Sequence, residues 1–221
     1  MTRLHAGAQL DRAPGPKYLA ALDFAEIATV GPAPKAKTLA KWREGLPEDF
    51  TLGFVVPHDA RRSPEGPLRF DADMEAALDR AAEAADALGA RFAVLPTGGD
   101  VTTGQRDRDL LAGWAERWRS KSRSQLVWHP TGLWDEESAP SFARRLGVVW
   151  GFDPLEVEEL PRLDLAYCRL RAIGMRKSFN ETLLLEVLDR LVDGPEAFVA
   201  LESEKSFREA KRLAALAAEE E

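Results

Sequence analysis

Short apolar runs alternate along the chain with longer stretches whose apolar residues recur every three or four positions. The first run, at 4–9, leads through a Pro/Gly entry to a short helical piece at 17–22. A second, at 24–30, precedes a Pro-rich loop and a helix around 38–44. The third, at 50–56, ends in Pro57, His58 and Asp59, and a loop rich in Arg, Pro and Gly follows. The best-defined helix comes next. Met74, Ala77, Leu78, Ala81, Ala85 and Leu88 form one apolar stripe, and Gly89 stands where a left-handed cap is wanted.

The alternation continues through the second half. A strand at 92–95 is followed by a helix carrying Leu110, Leu111, Trp114 and Trp118, which should pack on the sheet. A strand at 125–128, halted by Pro130, leads to a helix at 138–146 with Pro140 in its first turn and Gly147 as its stop. Residues 148–152 read as a strand, 156–160 as a short helix at most, and 165–170 as the next strand. Asn180 is placed to cap a helix over 182–191, which Gly194 follows, and 197–201 forms the last strand. Ser206 and Glu209 have capping-box spacing ahead of a stripe of Phe207, Ala210, Leu213, Ala214 and Ala217.

Eight strand candidates alternating with crossovers demand a parallel sheet, because parallel neighbours cannot be joined by a tight turn. Continuous apolar strands fit a sheet covered on both faces. No G-x-G-x-x-G follows the first strand, which disfavours an open doubly wound sheet. The expected fold is therefore α/β: a single (β/α)8 TIM-type barrel of eight parallel strands over residues 1–221.

Composition narrows the function classes. A hydrophobic share of 45% beside 30% charged residues is that of a globular chain with a real core. The net charge of −7, to which Glu219, Glu220 and Glu221 contribute, argues against a nucleic-acid partner. No apolar stretch approaches the ~18 residues of a membrane span. With Cys168 as its one cysteine the chain forms no internal disulfide, and the expectation is a cytoplasmic protein. Cys168 itself reads as a small hydrophobe.

In such a barrel the site lies at the C-terminal ends of the strands, which here gather Gln9, Glu26, Thr29, His58, Asp59, Thr97, His129, Asp153, Arg169, Arg171, Glu202 and Lys205. Arg169 and Arg171, two apart on one strand, share a face and form a fork suited to a carboxylate or phosphate. Ion pairs with Asp153, Glu202 or another barrel carboxylate are the alternative. His129 can act as acid, base or ligand, or be packed against a carbonyl. Asp153 can orient it, or can simply start the turn at Pro154. His58 and Asp59 point opposite ways on an extended chain and make no dyad. Thr97 to Asp100 can form a small anion nest or an ordinary loop. No local motif of metal-ligand spacing is present, and nothing calls for a cofactor.

Several segments resemble the YecE-like family, a TIM-barrel domain of unknown function. Glu26-Ile27 is similar to the start of its Glu-Ile-Asn segment. Leu39 to Trp42 with Leu46 to Phe50 is similar to its helix-strand pairing. Leu95-Pro96, His129-Pro130 with Trp134, Asp153, and Tyr167 to Leu170 match further short motifs. Ala6 to Leu10 replaces the family's Gly-Thr-Ser-Gly-Trp start. Val55, Leu126, Trp128 and Arg171 replace its lysine, glutamate, arginine and histidine, and its paired asparagines have no counterpart around Glu202. The resemblance implies the barrel and site positions at its mouth, without an activity.

Three functions follow as expectations. The first is an enzyme acting on a small anionic metabolite (a carboxylate, sugar or sugar phosphate), held by Arg169 and Arg171 with His129 and Asp153 catalytic. The second is a degenerate barrel that binds a ligand or protein without turnover. The third is a metal-dependent hydrolase using His58, His129, Asp153, Glu26 and Glu202. The sequence is silent on oligomeric state.

Overall fold

A computed structural model describes residues 3–132, 134, 137–172, 177–191 and 196–219. Eight parallel strands close into a barrel: β1 (Arg3–Leu10), β2 (Phe24–Ile27), β3 (Thr51–Val55), β6 (Phe92–Thr97), β7 (Gln125–Pro130), β8 (Val149–Phe152), β9 (Ala166–Arg171) and β10 (Glu196–Glu202). The two-residue strands β4 (Arg62–Ser63) and β5 (Gly66–Pro67) form a separate hairpin after β3. Neighbours around the barrel run β1, β10, β9, β8, β7, β6, β3, β2, and β1 closes against β2. The outer layer comprises α1 (Pro16–Leu19), α2 (Ala36–Glu44), α3 (Ala72–Leu88), α4 (Gln105–Lys121), α5 (Ser138–Leu146), α6 (Glu181–Leu191) and α7 (Ser206–Glu219). The expected closed TIM-type barrel of eight parallel strands is the one observed, with helices between most of the strands. Among the described residues no helix is long and apolar enough to cross a membrane.

Local chemistry explains the element ends. Asp71 accepts a hydrogen bond from the Met74 amide at 2.7 Å, capping α3, and Gly89 ends that helix at φ 64°. The predicted stripe from Met74 to Leu88 is buried. Each such leucine contributes roughly 1.5–3 kcal/mol. Gly147 stops α5 in the same left-handed conformation, and Asn180 Oδ1 accepts from the Leu183 amide at 3.0 Å. Gly194 lies outside the described residues. Trp114 and Trp118 are fully buried and stacked, with indole N–H groups donating to Ala60 O and Ser124 Oγ.

Three local expectations need correction. β7 runs two residues past the expected 125–128 and ends on Pro130 itself, opposite Thr97. Thr131 donates back to Thr97 O, so by alternation the missing Pro130 N–H falls on the side of β8, whose register with β7 already ends at Trp128↔Trp150. Ser206 and Glu209 do not form a capping box. Glu209 instead accepts from the Phe179 amide at 2.8 Å and from the Ser203 hydroxyl, fastening the approach to α6 onto α7. Residues 153–165 carry a turn and no helix, so β8 and β9 are joined without a helical crossover.

The core has two parts. Outward-facing strand residues pack against the helices, while Phe24, Phe92, Val94, Val127, Tyr167, Phe198 and Ala200 fill the lumen. A Cβ at Gly53 would sit 2.4 Å from the Tyr167 hydroxyl, so only glycine leaves room for that ring. The N-terminal floor is closed by charge and aromatics together. His5 stacks on Phe198 at 4.6 Å with Nδ1 2.7 Å from Asp23, and Arg91, over the Phe92 and Phe198 rings, grips Glu196 with two hydrogen bonds. The lumen is a packed core that opens towards the other end.

Candidate functional site

At the C-terminal end of the barrel a cleft of about 730 Å³ is walled by His129, Asp153, Arg169, Arg171, Trp150, Phe152 and the loop residues Thr131, Trp134 and Val157, among others. Its size is that of small-molecule sites generally. Three adjacent strands build it. Alternation sends Val127 and His129 on β7, Gly151 on β8, and Tyr167, Arg169 and Arg171 on β9 inward. The fully buried Trp128 faces outward, against Trp134 and Phe142.

The two arginines meet different partners. Arg169 is 4% exposed, and its Nε and Nη2 both donate to Glu26, the closest contact being 2.8 Å. Glu26 is itself fully buried and also accepts from the Tyr167 hydroxyl at 3.0 Å and from Gln9 Nε2 at 2.9 Å. Burial works against the charge on Arg169, but Glu26 outweighs it and its pKa is raised. Burial, then the charge of Glu26, pushes the Tyr167 hydroxyl well above its ordinary range, so it stays a donor. Arg171, at the rim, is half-buried and donates Nε to Glu202 at 2.6 Å, its neighbour in register on β10. Glu202 thus engages one of the three guanidinium nitrogens.

His129 lies against this pair. Burial first, then Arg169 and Arg171, holds its pKa well below the ordinary imidazole value. It is therefore neutral near pH 7, and its Nδ1 is buried without a hydrogen-bond partner. Asp153 shares the cleft, but its Oδ1 accepts from the Leu155 amide at 2.9 Å and no hydrogen bond joins it to His129. The expected orienting hydrogen bond is not formed.

Other sequence candidates fall elsewhere. His58 is exposed in a short 3-10 turn at 58–60, outside the cleft lining, and Asp59 faces Arg80 at 3.5 Å. Glu26 lies beneath Arg169, unavailable as a metal ligand. Thr97 is buried and accepts from Trp128 Nε1, Thr29 Oγ1 is buried without a partner, and Lys205 is exposed. In the proposed nest, Asp100 pairs with Arg62. The Cys168 thiol is buried, and that burial, with Asp153 beside it, raises its pKa well above the usual value. Among the described residues no three His, Cys, Asp or Glu side chains gather as a metal site would require.

Arg61 is a further cationic group that the sequence did not single out. It donates Nη1 to Pro96 O at 3.1 Å, and its Nε is buried without a partner. Burial, then Arg169, lowers its pKa, with Arg62 and Arg171 adding smaller effects, so it belongs to the same positive field as the two β9 arginines. It is held there by the hairpin: the Leu68 amide donates to Arg61 O while buried Leu68 sits at φ 57°. The adjacent Arg61-Arg62 pair was the available signal, but nothing local predicted that the hairpin would fold over β6.

No family model matches the chain, and no curated protein does. Solved structures do. A DUF72 family protein from Enterococcus faecalis superposes with TM-score 0.72 at 12% identity, over 99% of this chain and 98% of that one. A DUF72 family protein from Thermotoga maritima gives 0.70 at 14% identity, over 98% of this chain and 99% of its own. Endonuclease IV from Thermus thermophilus gives 0.56 at 16% identity, over 99% and 100%. The resemblance to the YecE-like (DUF72) domain read from short motifs is thus matched by full-length likeness to two of its members. At these identities what is shared is the barrel.

Proposed function

We propose that the cleft binds a small anionic metabolite, a carboxylate, sugar or sugar phosphate, at the C-terminal face of the barrel. One observation carries this reading: Arg171 stands at the rim of a 730 Å³ cleft with Glu202 holding only its Nε, while the neutral His129 lines the same cleft. An arriving oxyanion takes the two Nη groups of Arg171 by charge-assisted hydrogen bonds. Arg169, paired with Glu26, fixes the floor beneath it. A neutral imidazole can accept a proton from a substrate hydroxyl or carbon acid, and Asp153 lines the same cleft.

A non-catalytic binding barrel is the second reading, favoured because no group among the described residues fixes the His129 tautomer through Nδ1. Calorimetric titration with phosphorylated and carboxylated metabolites tests the shared premise. Arg171→Gln should weaken the best anion by about tenfold or more, equivalent to ~1.4 kcal/mol. Unchanged affinity in that variant removes the anion site. Mass-spectrometric search for product from the bound ligand then separates enzyme from binding module.

A further inference from the structure

The cleft is not confined to the barrel mouth. It straddles the C-terminal end of β8, joining inward-facing residues to outward-facing ones. His129, Arg169 and Arg171 belong to the lumen side, whereas Trp150 and Phe152, on alternate positions of β8, face the outer layer. A helix following β8 would cover those rings, as helices cover the outward residues of other strands. Here 153–165 passes without a helix, and Val157 from this segment lines the same cleft. Trp150 and Phe152, 6% and 3% exposed, stack on each other at 4.4 Å and line the cleft with what remains open of their rings. Trp134 also lines the cleft, with its indole N–H donating to Val101 O and its ring stacked on Phe142.

We infer that the ligand is amphipathic: an organic phosphate or carboxylate whose anionic end meets Arg171 and whose flat apolar group, an aromatic ring in the simplest case, lies against Trp150 and Trp134 under the segment after β8. This rests on the anion-binding reading and adds the class of group attached to the anion. The physical reason is the division of the cleft wall. The arginines and the imidazole come from lumen-facing strand positions, whereas Trp134, Trp150, Phe152 and Val157, with Glu137 and Glu156 among them, make up the rest of the wall. A small hydrophilic anion would satisfy the charged groups and leave the open apolar part of the lining without a partner.

Titration calorimetry of the whole chain with inorganic phosphate, glycerol phosphate and phenyl phosphate tests it. Phenyl phosphate should bind about tenfold tighter than the other two, as expected for burying part of a ring. Trp150→Leu should abolish that preference while leaving inorganic phosphate unchanged. Because Trp150 is in the core, Val157→Asn on the loop gives a second reading, and it should reduce the preference severalfold. Arg171→Gln should weaken all three probes. Equal binding of the three by the unmodified protein, or a preference that persists in both apolar-wall variants, overturns the inference and leaves the anion site standing. Failure of every probe to bind overturns both.

Discussion

Arg169 and Arg171 project from the same face of one strand, a single step apart, yet they live in different electrostatic worlds. The lower arginine is sealed in the lumen against Glu26, with Tyr167 and Gln9 completing the carboxylate's hydrogen bonds. The upper one shares a single hydrogen bond with Glu202 at the rim, and both members are more than a third exposed. In low dielectric a charge pair is worth having only if every donor and acceptor is satisfied, and removal of one member strands the other. At the rim, water takes up most of that role, and the pair can open for a ligand at small cost. Two identical residue types thus divide into one that holds the barrel together and one that remains available.

The largest effect should come from breaking the lower pair. Glu26→Gln should destabilise the fold by about 3–5 kcal/mol, as expected when a buried charge loses its partner. The double variant Glu26→Gln/Arg169→Met should recover much of that loss, because it removes the stranded charge. Urea unfolding midpoints check both, and a double variant no better than the single one would show that the lower pair is not a charge-compensation unit.

A smaller effect separates the two layers by pH. Burial and both arginines depress the pKa of His129 in the folded protein. Between that value and about 6.5, the unfolded chain takes up a proton that the folded chain refuses. Stability should therefore fall as pH is lowered below about 6.5, by at most ~1.4 kcal/mol per pH unit from this group. His129→Gln should flatten that slope, measured as unfolding midpoints at several pH values from 7.5 downwards, and an unaltered slope would mean that the ring is hydrated in the fold. The smallest effect is expected at the rim: Arg171→Gln should change the unfolding free energy by about 0–1 kcal/mol, in line with exposed ion pairs. A loss comparable to that of Glu26→Gln would abolish the distinction between the two arginines.

What the amino-acid sequence alone makes legible divides along similar lines. The strands were legible because their apolar runs are local, and the α3 stripe with Gly89 and the Asn180 cap are local chemistry too. The shared face of Arg169 and Arg171 follows from strand geometry alone. Their partners do not. Glu26 lies 143 positions from Arg169 and reaches it only because β2, β1, β10 and β9 close the barrel. Glu202 was nameable as a candidate for Arg171, since it stands opposite it in the next strand, but the choice among carboxylates required the register. The Ser206–Glu209 spacing misled because a long-range acceptor role, toward Phe179 and Ser203, outcompetes the local cap. Arg61 escaped notice because a hairpin of two-residue strands leaves no periodic trace.

The seam between the first and last strands has a consequence for biosynthesis. Arg3 through Ala8 find their partners at 196–201, so the opening strand of the nascent chain must wait for the closing one. At the ordinary pace of translation that interval is about 10–40 s. Throughout it one flank of β1 offers unpaired amides and carbonyls to any passing strand, the kind of exposed edge that invites intermolecular pairing. Crowded, rapid overproduction should therefore favour inclusion bodies, and slower synthesis in the cold should favour the closed ring.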